Sequence, residues 1–103
     1  MLKHCVILKT TAGTEAAVSQ AMGLLQELRT KVPGMLDFAH GPNRDFEGLS
    51  PGYSYGFVMT FADRASHLAY ERHPDHVVAG GMLVASCIDG IGGIFVVDLE
   101  VGG

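Results

Sequence analysis

The sequence predicts an α+β fold in the order β-α-β-β-α-β, a four-stranded sheet with helices on one face. Three observations predict it. Segments alternating with a period of two are interleaved with segments that are apolar at helical spacing. The separators between them are clusters of Gly, Pro, Asn and Asp. Finally, 103 residues with 48% apolar and 17% charged side chains are enough for one domain, residues 1–103, with a sizeable core.

The first strand is LKHCVILK, Leu2 to Lys9, with Leu2, His4, Val6 and Leu8 on one face and Lys3, Cys5, Ile7 and Lys9 on the other. Thr14 is the expected cap of the first helix, and Glu15 complements the dipole in its opening turn. Val18, Met22, Leu25, Leu28 and Val32 form its inner stripe, which Val32-Pro33-Gly34 ends. Met35 to Gly41 reads as a short second strand, followed by a polar, turn-rich excursion, GPNRDFEGLSPG. Tyr53 to Phe61 is the clearest strand, with Tyr53, Tyr55, Phe57, Met59 and Phe61 on one face.

Asp63 can cap a short helix whose inward residues are expected to be Ala65, Leu68 and Ala69. His73-Pro74 must interrupt it, because a residue before proline avoids the helical region. Pro74 then opens a further helix through Val77, Val78, Met82 and Val84. Gly80-Gly81 costs that helix about 1 kcal/mol per glycine, which implies close packing against a neighbour. Ile94 to Val101 is the last strand. This order is that of a ferredoxin-like sandwich. Its helices cover one face only, yet the opposite face carries Cys5, Ile7 and Val58, so a second copy of the sheet is the expected cover and the expected partner is a homodimer.

Several function classes are excluded. A net charge of −4 and the absence of any Lys/Arg run provide no footprint for nucleic acid. No apolar run approaches the ~20 residues of a membrane span. The opening MLKHCVILKT lacks a signal-peptide core, which points to the cytoplasm, and Cys5 and Cys87, outside any CxxC pattern, are expected as free buried thiols.

Acid/base work has few candidates. His4 is the one polar side chain on its strand face and reads either as a hydrogen-bonded core histidine or as a catalytic group. Tyr53 and Tyr55 read as core aromatics with their hydroxyls at an edge, Tyr70 as packing, and His40 and His67 as surface residues. His76 has a sharper case. In the first turn after Pro74 it lies near the positive end of the helix dipole, which favours neutral imidazole and hence a general base. His73-Pro74-Asp75-His76 is a poor metal pair, since the proline divides the two rings and no third ligand follows at a suitable spacing. The Gly-rich stretches fit no phosphate loop. Neither a metal nor a cofactor is expected.

The segments KHCVILK, VPGMLDF, GYSYGFVMTF, HPDHVVAG and IFVVDLE, in that order, resemble the stress-response α/β-barrel (Dabb) domain family. The resemblance implies a homodimer of ferredoxin-like units whose two sheets make a barrel. A plant member, olivetolic acid cyclase, closes a linear polyketide thioester by aldol chemistry, using histidine and tyrosine without metal or cofactor. Carried over by motif, the resemblance implies His76 as base, with Tyr70 and His4 as hydrogen-bonding partners. Tyr55 stands where the cyclase has a histidine and Leu25 replaces a pocket tyrosine, which implies a different pocket and substrate. Leu25, Tyr53 and Phe57 are the expected ligand-lining residues.

Two functional readings follow. One is a binding protein that holds a small organic ligand between sheet and helices; the other is a cyclase-like, isomerase or lyase enzyme using His76, with Tyr70, Tyr55 or His4 donating hydrogen bonds. A third architecture-level reading, a barrel of the antibiotic-biosynthesis monooxygenase type, is disfavoured by the HPxH motif.

Overall fold

The computed structural model describes residues 1–102. Strands β1 (Leu2–Leu8), β2 (Met35–Pro42), β3 (Tyr55–Phe61) and β4 (Ile94–Glu100) form one antiparallel sheet in the order β2-β3-β1-β4. Helices α1 (Glu15–Glu27), α2 (Arg64–Arg72) and α3 (Pro74–Ser86) cover one face, α1 packing on α3. This is the ferredoxin-like α+β arrangement that the order of periodic segments predicts.

Between sheet and helices, Leu8, Met59 and Phe61 from the strands meet Met22, Leu25 and Leu28, all essentially inaccessible to solvent. Burial changes abruptly at the β4 edge. Val6 is 4% exposed, whereas its cross-strand partner Val96 is 48% exposed. The helices therefore roof β1, β3 and β2 and leave the inner face of β4 partly open. That opening positions the site described below. A tight corner delivers β4 there: a Cβ on Gly93 would lie 2.2 Å from the Ile88 carbonyl oxygen, so this close approach admits only glycine.

Local details meet sequence expectation at one cap and depart from it elsewhere. Asp63 caps α2 through the Ser66 N–H at 2.8 Å. Thr14, by contrast, turns its hydroxyl back to the Thr11 carbonyl at 2.7 Å and makes no side-chain cap on α1. β3 starts at Tyr55, because the Tyr53 N–H bonds the Ser50 carbonyl in a turn. On α2 the buried residues are His67 and Tyr70, while Ala65 and Ala69 are exposed; large rings gain more from burial than methyl groups do. On α3 the inward residues are Ala79, Leu83 and Ser86 rather than Val77, Val78 and Val84. That helix is apolar nearly all round, so periodicity alone offered two stripes. Among the described residues the Gly80-Gly81 pair packs against no other element: nothing outside the helix's own backbone lies within 4 Å of where either Cβ would be.

The outer sheet face carries Cys5, Ile7, Val58, Phe95, Val97 and Leu99, and Val58, Phe95 and Leu99 are 40%, 53% and 52% exposed. No helix among the described residues is long and apolar enough to cross a membrane.

Candidate functional site: a histidine–tyrosine cavity

The break at His73 builds the site. Its backbone is extended (ψ 135°) and its Nδ1 accepts the Asp75 N–H at 3.1 Å, capping α3. Pro74 fills the first helical position, where a missing N–H costs nothing. α3 thus restarts at an angle to α2, and the His76 ring folds back onto the Tyr70 ring, with centroids 4.4 Å apart. His76 Nδ1 lies 3.0 Å from the Glu71 carbonyl oxygen. A carbonyl only accepts, so Nδ1 carries the hydrogen and Nε2 keeps its lone pair. Burial lowers the His76 pKa from the ordinary imidazole value, with His4 adding to the effect and the Glu71 carbonyl opposing it. The ring is therefore neutral at pH 7, with desolvation as the leading cause.

His4 is buried on β1 directly opposite Asp98 on β4, and its Nδ1 donates to Asp98 Oδ1 at 2.6 Å. The Nε2 of His4 makes no hydrogen bond among the described residues. Tyr70 is 1% exposed, and burial pushes its hydroxyl pKa well up, so it remains an O–H donor. No hydrogen bond to that hydroxyl forms among the described residues. His4, Tyr70 and His76 share a cavity of about 500 Å³ whose walls include Leu25, Phe57, Leu83, Ile94 and Val96, with Glu71 and Asp98 as its two acids. The missing side chain at Gly80 is part of the same space.

Two of the sequence-derived site residues lie elsewhere. Tyr55 points to the helix face but is paired with Leu8, four residues along β1 from His4, or about 13 Å at strand rise. Its hydroxyl is 2.6 Å from His40 Nδ1, and it lines a separate cleft with Thr10 and Ser54. The Tyr53 ring packs 6.2 Å from that of Phe95, with the Lys9 ammonium 4.8 Å above it. Neither lines the cavity.

One residue that sequence reading placed on the surface is buried behind the site. His67 is 3% exposed, with its ring 4.9 Å from His4 and 6.1 Å from Tyr70. Its Nδ1 is held by the Arg64 guanidinium, and Glu71 Oε1 lies 3.2 Å from Nε2 without hydrogen-bond alignment. Burial and the neighbouring His4 lower its pKa. The signal available in the sequence was that Arg64, His67 and Glu71 lie on one helical face with Tyr70, at spacings of three and four. His4, His67 and Asp98 bring ligand-type atoms within 4.8 Å of one another. Arg64 makes this a poor cation site: a ligating imidazole donates its other N–H outward, whereas here that nitrogen faces a group that can only donate. His67 Nε2 therefore holds the hydrogen and has no lone pair to offer.

The model of the stress responsive A/B barrel domain matches residues 2–101. The chain belongs to that family. A stress-response A/B barrel domain-containing protein of Arabidopsis thaliana is 28% identical over 76 residues, 73% of this chain and 67% of that one. A solved structure from Jannaschia sp. CCS1, described as a dimeric ferredoxin-like protein of unknown function, is 51% identical. It superposes with a TM-score of 0.93, covering 97% of this chain and 98% of the other. The hydroxynitrile lyase of Passiflora edulis has the same fold at 15% identity, with a TM-score of 0.79 over 98% of this chain and 93% of its own.

Proposed function

We propose that this A/B barrel domain is an acid/base enzyme acting on a small carbonyl compound. One observation carries the reading: two imidazoles, each with its Nδ1 held by the protein, at Asp98 and at the Glu71 carbonyl, line one cavity together with the buried Tyr70. His76 takes a proton from the carbon next to the carbonyl, so a C–H bond breaks and an N–H bond forms. The electron pair moves onto the carbonyl oxygen, where the Tyr70 O–H donates to the developing enolate. The enolate then attacks a second carbonyl, as in an aldol closure, or takes a proton at another atom, as in an isomerisation, with the His4–Asp98 pair as the second proton carrier. The cavity falls within the size range of sites for drug-sized organic molecules.

The test is exchange of the α-hydrogens of heptanone for deuterium in D₂O, followed by NMR. Exchange above the buffer rate that depends on intact protein supports the reading, and its absence across a panel of ketones and 1,3-dicarbonyls overturns it. The competing reading, ligand binding without turnover, is favoured by the position of Tyr55, which leaves the reacting end with a single tyrosine. Saturable binding with no exchange would establish that alternative.

The chain is expected to act as a homodimer in the cytoplasm. The uncovered apolar sheet face and the dimeric description of the 51%-identical relative support the first part. The free thiols Cys5 and Cys87 fit a reducing compartment. Sedimentation at micromolar concentration should give the mass of two chains, and a stable monomer would contradict the assembly.

A further inference from the structure

We infer that the cavity selects uncharged ligands and excludes the carboxylate or phosphate counterparts of the same shape. The inference rests on the acid/base reading, which makes His76 and Tyr70 the reacting end, and it narrows the substrate class. The ionisable side chains around the cavity are two acids, Glu71 and Asp98, together with His76, Tyr70 and a His4 that is already paired with Asp98. Burial depresses the His76 pKa and keeps the Tyr70 hydroxyl protonated. His4 spends its Nδ1–H on Asp98.

The nearby cations are already engaged. The Arg64 guanidinium lies against His67 and 3.7 Å from Glu71, and the Lys31 ammonium is 2.7 Å from Asp75. No lysine or arginine lines the cavity among the described residues. An anion entering it would give up water against the apolar walls and meet two half-exposed carboxylates, with no lysine or arginine on the lining to receive it. A cation is not sought either, because Asp98 is satisfied by His4 and Glu71 faces Arg64 and His67. What the cavity offers is the Tyr70 O–H as a donor, the His76 Nε2 as an acceptor and apolar walls from Leu25, Leu83, Ile94 and Val96. That set matches an uncharged molecule with a carbonyl at one end and a hydrocarbon body.

The experiment compares heptanone, heptanoate and heptylammonium at pH 7.5 and fixed ionic strength, following the ring-proton resonances of His4 and His76 by NMR titration. Heptanone should shift both, and each ion should bind at least about tenfold more weakly. An added cation should rescue the anion. Ile91 is at the cavity edge and 73% exposed, so Ile91→Lys is tolerated by the fold and should admit heptanoate. Binding of either ion as tight as that of the ketone, no shift with heptanone up to its solubility limit, or continued exclusion of heptanoate by Ile91→Lys would each overturn the inference. Because binding is read without turnover, this failure is separable from failure of the catalytic reading. Equal binding of ketone and carboxylate alongside protein-dependent deuterium exchange would refute charge selection and leave the chemistry standing.

Discussion

Replacing His76 by alanine is expected to lower kcat/KM for α-proton abstraction by about 10²–10⁴-fold, the contribution of a positioned general base. The loss should fall on kcat, because the ring contributes little of the apolar wall that binds the substrate. The fold should survive, since His76 is only partly buried and its cap, supplied by His73, is untouched. The pH profile of the wild type offers a second readout. A base must be unprotonated to act, and burial holds the His76 pKa below 6.5. The rate should therefore be full at neutral pH and fall only below 6.5, as pH drops through the depressed value. Unchanged turnover in His76→Ala, or an acid limb above 6.5, would remove His76 from the role of base.

The second large effect concerns Phe61. Its ring is fully buried and contacts the rings of His4, His67 and Tyr70 at centroid distances of 6.3, 5.3 and 5.2 Å, so it is the floor on which the site rests. Phe61→Ala should cost about 3–5 kcal/mol, from lost apolar burial and the void left beneath three rings that cannot all collapse into it. Urea unfolding measures this directly. At a temperature where the variant remains folded, activity should fall as well, because His4 and Tyr70 lose their common support. A cost below about 1 kcal/mol would mean that the surrounding rings repack freely and that the site is less rigid than its contacts imply.

Legibility varied with the distance along the chain over which a feature is decided. The α2–α3 break was readable because Pro74 acts on its own neighbour His73 through steric contact. His76 was readable for the same reason, since its place in the first turn follows from the proline. Tyr55 was not: it lies on the predicted face of β3, but strand rise carries it about 13 Å from His4, and facing the same side does not bring residues together. His67 was misplaced because a polar residue on a short helix is by default a surface residue; here Arg64 and Glu71, on the same helical face, supply the partners that let it be buried.

What the sequence determined by itself is local: the order of strands and helices, the helix restart at Pro74, the apolar outer face of the sheet and the candidacy of His76. The tertiary structure decided which groups meet. His4 and Asp98 are 94 positions apart, and only the antiparallel register of β1 with β4 sets them 2.6 Å from each other. The same register leaves the inner face of β4 open, and so makes the cavity. Periodicity records how one segment presents its sides; which side of another segment it encounters is settled by burial summed over the whole core, and no single segment carries that information.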